Sequence, residues 1–220
     1  MKNPLRKRIP RELKGEFGKY LVVFLLMVLT IGFVSGFLVA DGSMLKAYDE
    51  SFDKYNIENG NFRTAEKIYS SQWKDIEAAG VELYENYYIE EDLDNGSTMR
   101  FFKNREKVNK VCLMKGELPT QADEIAIDRM YAENNSLEIG DTIESADGKY
   151  SWKITGYVAL PDYSCLFSDN NDTMFDAVKF GVGIVAPEGY TALEEEEQNY
   201  SYSWKYEKEP SDELQEKEMA

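Results

Sequence analysis

Residues 20–40 read YLVVFLLMVLTIGFVSGFLVA. No charge interrupts these 21 residues, and about 20 apolar residues suffice for a helix to cross the hydrocarbon core of a bilayer. A cleavable signal peptide is the competing reading. Its apolar region usually runs about 7–15 residues and ends at an A-x-A-like site. Here the run is longer, the basic leader is long, and no clean A-x-A string follows. The expectation is an uncleaved transmembrane helix over 20–40.

Charge gives that helix a direction. Residues 1–40 hold seven Lys/Arg against two Asp/Glu, a net of +5; the rest holds 18 against 39, a net of −21. Lys2, Arg6, Lys7, Arg8, Arg11, Lys14 and Lys19 precede the apolar run, and Asp41, Asp49, Glu50 and Asp53 follow it. The positive-inside rule then places residues 1–19 in the cytosol and residues 41–220 outside it. Within 1–19, Pro10 suits a first helical turn. Ile9, Leu13, Phe17 and Tyr20 recur at helical spacing among basic residues, so this segment reads as a basic amphipathic helix on the membrane surface. Inside the span, Gly32 and Gly36 form a GxxxG pattern. Small residues on one face let a second helix approach closely, although Gly is common in membrane helices generally.

Composition closes off much chemistry. The chain has no histidine, which excludes Ser-His-Asp and Cys-His catalysis, His-liganded zinc and HExxH peptidase sites. Two cysteines, Cys112 and Cys165, are too few for Cys₄ zinc. Outside the cytosol they are free to form a disulfide, but two lone thiols need not lie within bonding distance. The acidic body argues against nucleic acid, whose phosphates need a basic surface. Acidic runs at 90–92, 169–172 and 194–197 read as solvated faces rather than calcium loops. No carboxylate pair or Ser-Lys spacing stands out, so neither an enzyme nor a cofactor is expected.

Beyond the span, Met44, Tyr48, Phe52 and Tyr55 keep helical spacing, so the helix is expected to run on as a stalk until Asn59-Gly60. A strand near 62–64 follows, then a helix capped by Ser70 or Ser71 and stopped by Gly80, with Trp73, Ile76 and Ala79 as its buried face. Residues 81–90 and 98–103 flank Asp94-Asn95-Gly96, a strong hairpin signal. Strands are expected at 108–114, 124–127 and 180–185, and a short helix at 128–134. A second hairpin joins 142–145 to 150–159 around Asp147-Gly148. After Pro187 the composition shifts: 198–206 is rich in Tyr, and 207–220 is almost wholly polar and expected to be solvated. The aromatic residues Tyr84, Tyr87, Tyr88, Tyr200, Tyr202, Trp204 and Tyr206 suit either sheet packing or the wall of a groove. Strands and helices mix without regular βαβ alternation, giving an α+β extracytoplasmic domain attached to one N-terminal transmembrane helix.

Two stretches, residues 4–48 and 115–162, together resemble the start of an FtsX-like ABC transporter permease with a MacB-type extracytoplasmic core domain. The pattern comprises Gly116-Glu117-Leu118-Pro119, the strand beginning Glu124-Ile125, Ala132 in the short helix, Gly140-Asp141-Thr142-Ile143, and Gly156-Tyr157-Val158. The residues Gly116, Pro119, Glu124, Ala132, Gly140, Asp141 and Gly156 are structural types, so the pattern marks a fold and not an active site. The resemblance implies a bacterial cell-membrane subunit that does no chemistry itself. It implies an ABC-type ATPase partner in the cytosol, further permease transmembrane helices, a dimer of permease units, and a lipid-like or peptide substrate. The chain lacks G-x-x-x-x-G-K-[ST], so ATP would be bound in trans. Family members have four or more membrane helices where one is found here, so an outer domain incomplete at its C-terminus is expected. The rival reading is a single-pass, membrane-anchored extracellular binding or sensor module.

Overall fold

The computed structural model describes residues 14–169, 172–193, 197–208 and 210. The chain divides into two compact units, Met1–Ser51 and Phe52–Ala220. Helix α1, Phe17–Tyr55, is 39 residues without a break; it makes up most of the described part of the first unit, and its last turn, from Phe52, belongs to the second. Its apolar stretch has a mean hydropathy of 2.7 with none of it buried, so it is long and apolar enough to cross a membrane. At 1.5 Å per residue the helix is about 58 Å long, well beyond the roughly 30 Å hydrocarbon core. Residues 1–13, which include Ile9, Pro10 and Leu13 of the expected surface helix, lie outside the described residues. So do 194–196 of the acidic run and 211–220 of the polar tail.

The second unit is a mixed sheet with short helices. Its elements are β1 (Gly60–Thr64), α2 (Ser70–Glu77), β2 (Val81–Glu85), β3 (Tyr88–Asp92), β4 (Thr98–Lys103), β5 (Cys112–Gly116), β6 (Glu124–Asp128), α3 (Arg129–Asn134), β7 (Thr142–Glu144), β8 (Ser151–Ala159), β9 (Phe180–Val185), α4 (Pro187–Ala192) and β10 (Gln198–Tyr206), with a 3₁₀ turn at Pro161–Tyr163. The strand order is β1-β10-β3-β4-β9-β6-β8-β5, with β2 also on β10 and β7 on β8. Pairs β4/β9 and β6/β8 are parallel and the others antiparallel.

Burial follows from this order. Strand β9 runs between β4 and β6, and all six of its residues are buried. That explains its continuous apolar run, since a strand covered on both faces has no reason to alternate. Ile89, Met99, Phe101, Ile125, Ile127 and Ile154, on other strands of the same sheet, are fully buried as well. Strand β8 alternates buried and exposed positions over nine residues, as a half-buried strand should. Helix α3 starts where Asp128 Oδ1 accepts from the Met130 and Tyr131 amides, the usual N-cap arrangement. It buries Tyr131 and Ala132 in the core.

Both expected hairpins form, with Asp92 opposite Thr98 and Glu144 opposite Ser151. Other details differ. Helix α1 ends at Tyr55, before Asn59-Gly60, because Asn56 turns to φ +47°. Ser70 is the first residue of α2 rather than its cap; Tyr69 caps it, with its amide donating to Gln72 Oε1. Ala79 is exposed because α2 has already ended at Glu77. The expected strand over 81–90 is bent into β2 and β3 at Asn86-Tyr87, and the one over 108–114 begins only at Cys112. The Tyr-rich stretch 198–206 is a nine-residue strand, β10, pairing with β1, β2 and β3.

Gly116 and Gly156 sit opposite each other where β5 meets β8. A Cβ on Gly156 would lie 2.6 Å from the Glu117 carbonyl oxygen; one on Gly116, at φ +78°, would lie 2.3 Å from the Thr155 carbonyl oxygen. Both obstacles are backbone, which cannot swing aside. Gly156→Ala is expected to destabilise the domain by about 1–3 kcal/mol, lowering the melting temperature by roughly 2–4 °C for each kcal/mol. An unchanged melting curve would show that the two strands have room to separate.

Candidate functional site

The residues singled out in the sequence are dispersed, and each has a structural task. Gly32 and Gly36 lie on exposed helix α1, with nothing within 4 Å of a Cβ at either position. Gly116 and Gly156 are the close-approach pair of β5 and β8. Pro119 opens the turn that Glu124 closes, its Oε2 accepting from the Thr120 and Gln121 amides. Those amides hold the Glu124 carboxyl below its ordinary range. Ala132 is fully buried in α3. Gly140 takes φ +104°, and Asp141 Oδ2 accepts from the Glu138 amide at 2.8 Å. Cys112 and Cys165 form no disulfide; both are free thiols. Cys112 lies in β5 and accepts from the Tyr55 hydroxyl at 2.9 Å, whereas Cys165 is exposed after the 3₁₀ turn. Among the described residues no group of three acidic or cysteine side chains could hold a metal.

Two constellations stand out instead. The first locks the last turn of α1 into the sheet. The Lys110 amide donates to the Tyr55 carbonyl at 2.8 Å and the Asn109 amide to the Asn56 carbonyl at 3.0 Å. The Asn56 side chain donates back to the Lys107 carbonyl at 2.6 Å and accepts from Lys205 Nζ at 2.7 Å. Asn109 is fully buried, at φ +47°. Its Oδ1 accepts from the Glu58 amide at 3.0 Å while its Nδ2 donates to Glu58 Oε2 at 2.6 Å. Asn61 closes the other Glu58 oxygen at 2.6 Å. A carboxylate fed by side-chain donors is favoured in its charged form, yet burial here outweighs them and pushes the Glu58 carboxyl up, helped by nearby Asp162.

The second is a cleft of about 510 Å³, created by a fork in the sheet. Residues β2 to β3 keep one register against β10, from Val81 opposite Tyr206 to Ile89 opposite Gln198. Strand β4 pairs only with the β3 half, up to Phe102 opposite Tyr88. After Lys103 the chain leaves the sheet, so the outer edge of β2 has no neighbouring strand among the described residues. The cleft lies along this edge. Leu83, Tyr84 and Tyr87 line it on one side and the 103–108 loop on the other, with Trp73 and Tyr190 contributing aromatic surface.

That loop is electrically unlike its surroundings. Positions 103–110 carry Lys103, Arg105, Lys107 and Lys110 against Glu106 alone, within residues 41–220, whose net charge is −21. Arg105 is anchored: its side chain is 8% exposed, its Nη1 pairs with buried Asp162, and its guanidinium lies 4.3 Å over the Phe102 ring. Nε and Nη2 have no hydrogen-bond partner among the described residues. Arg100, more deeply buried, uses all three nitrogens, on Glu90, Tyr163 and the Ser168 carbonyl. The cleft tyrosines remain neutral donors. The Glu82 carboxylate, bonded to its hydroxyl, pushes Tyr84 up to about 12, and burial together with the Tyr202 hydroxyl raises Tyr87.

Tyr84 and Tyr87, which the sequence suits to sheet packing or a groove wall, do line the cleft, whereas no motif marks the tie at the end of α1. The basic density at 103–110 was a readable signal; the left-handed Asn56 and Asn109 carried none, because their role depends on a contact about 50 residues away. No family model matches the chain, and no curated protein or solved structure does either.

Because the folded Glu58 carboxyl is raised above its unfolded value, the folded state binds more protons in the window above the ordinary glutamate pKa of about 4.3. The stability it contributes is therefore present at low pH and is lost as pH rises through the folded pKa. Wild type should gain stability relative to Glu58→Gln as pH is lowered from 7 toward 5 in paired thermal melts. A melting difference that stays constant over this range would contradict the assignment.

Proposed function

We propose that this chain is part of an ABC transporter permease, in which α1 carries motion to or from an acidic domain on the outer face of a bacterial membrane. ATP hydrolysis is assigned to a separate cytosolic subunit, and the substrate is of the lipid-like or peptide class. The observation that carries the reading is the tie at the end of α1. An anchor alone needs only a flexible tether, whereas here the last helical residue, Tyr55, is held by the Lys110 amide, and the next, Asn56, by the Asn109 amide, the Lys107 carbonyl and Lys205. The helix is unbroken from Phe17 to Tyr55. The sequence likeness over residues 4–48 and 115–162 supports the same reading, and the roles of Gly116, Gly140 and Gly156 are architectural, as a fold-marking pattern requires.

The second reading, a membrane-anchored extracellular binding or sensor module, is favoured by the aromatic cleft along β2. The two differ in what they need in the cytosol. Expressed from the native locus with a tag, the protein is expected to co-purify with a nucleotide-binding subunit, and protease added to intact cells is expected to cut beyond residue 41. Recovery without an ATPase, while the outer domain still binds a ligand, would favour the sensor reading. Protection of the outer domain from protease would overturn both.

A further inference from the structure

We propose that the cavity between the β3–β4 hairpin and the loop entering β9 receives a cationic, apolar peptide segment of a partner protein. Its guanidinium or ammonium groups meet Asp172 and Asp176, and its apolar side chains cover Met174 and Phe175. The proposal concerns the second unit alone and stands whether or not the chain serves an ATPase.

Two observations meet there. The first is apolar surface left open to water. Met174 is 82% exposed, and Phe167, Phe175 and Val178 are exposed in the same stretch of chain. The Phe167 and Phe175 rings stand edge to face, centroids 6.2 Å apart, so these side chains form a patch. Single exposed apolar residues are ordinary, whereas a contiguous patch rimmed by polar groups marks an interaction surface. Met174 also lines a cavity of about 430 Å³, together with buried Leu166 and Phe180. Sites for ligands or anchoring side chains commonly fall at roughly 300–1,000 Å³.

The second is charge of one sign. The cavity is lined by Glu90, Asp172 and Asp176 against Lys179. Glu90 is matched by buried Arg100, and Lys179 Nζ donates to the Gly96 carbonyl at 3.3 Å. Asp172 accepts from the Ser168 amide and hydroxyl and the Asp169 amide, and Asp176 from the Val178 and Lys179 amides. Neutral donors of this kind fix a carboxylate and favour its charged form without cancelling the charge. The Ser168 hydroxyl and the Asp169 amide accordingly hold the Asp172 carboxyl below its ordinary range. Among the described residues neither Asp172 nor Asp176 has a salt bridge. The surroundings repeat the sign: positions 90–100 carry four acidic residues to one basic, and 166–180 three to one. The cleft along β2 differs, since its lining mixes Glu85 and Glu106 with Lys103 and Lys107. Complementary potentials select partners by sign, and a basic segment with aromatic side chains answers both the charge and the apolar patch.

The test uses the full chain in phosphatidylcholine nanodiscs and a fluorescent, end-blocked hexapeptide alternating arginine with phenylalanine, read against empty nanodiscs. Glutamate–phenylalanine and arginine–glycine hexapeptides are the comparators. The arginine–phenylalanine peptide is expected to bind at least about tenfold more tightly than either. Asp172→Asn with Asp176→Asn keeps the capping oxygens, removes both charges, and should weaken binding at least about fivefold. Met174→Ser, at a position too exposed to carry the fold, should weaken it at least about threefold. Glu66→Gln with Asp75→Asn, which removes two charges outside the cavity, should stay within about twofold of wild type. Equal loss in that remote pair, no loss in either cavity variant, tighter binding of the glutamate peptide, or equal uptake by empty nanodiscs would each overturn the proposal. So would self-association that Met174→Ser abolishes, because the patch would then belong to a second copy.

Discussion

Asn109 is the constraint on which the second unit's two notable features depend. Its side chain spans both ends of the Glu58 peptide-and-carboxylate pair, and its own amide holds the Asn56 carbonyl. These bonds fix the chain leaving α1. They also fix the position of the loop that forms one wall of the cleft, because the Lys107 carbonyl accepts from Asn56 and Lys110 donates to Tyr55. Hydrogen bonds involving a charged partner contribute roughly 1.5–3 kcal/mol each, more than neutral ones. A fully buried polar residue in a left-handed conformation is retained only where such bonds repay its burial. The end of the helix and the cleft are thus two sides of one hydrogen-bonded block.

Strand β10 completes that block. It is the common neighbour of β1, β2 and β3, and its Lys205 and Trp204 reach the segment after α1 through the Asn56 side chain and the Asn59 amide. Because β2 and β3 share one register on β10, the fork is not a break in the sheet. It arises where β4 stops pairing. The cleft therefore has a rigid floor and a wall held by the Asn109 network.

Much of the fold was legible in the sequence because its signals were local. The 21 uncharged residues at 20–40, the Asn95-Gly96 and Asp147-Gly148 turns, and the apolar run 180–185 each announce their element without outside help. Asp128 stands immediately before α3, where a capping side chain belongs. What could not be read depends on long-range pairing. The stretch 198–206 looks like a compositional oddity until its partners, more than 100 residues earlier, are known. The break at Asn86-Tyr87 falls where β4, which pairs with β3 only as far as Tyr88, stops pairing, while β10 continues along both strands. The late start of β5 follows from Asn109 leaving extended geometry to meet Glu58. The cysteines illustrate the same limit: composition permits a bridge, whereas in the structure both thiols are free, Cys112 beside the Tyr55 hydroxyl and Cys165 exposed.

Hydrogen exchange on the full chain in nanodiscs tests this account most directly, comparing wild type with Asn109→Gly. Glycine accepts the left-handed backbone without strain, so the substitution removes only the side-chain bonds. The account requires protection to fall together at residues 55–58 and 104–110, on both sides of the block, while β9 and its neighbours β4 and β6 keep theirs. Loss confined to one of the two segments, or no loss at all, would show that the helix end and the cleft wall are held independently.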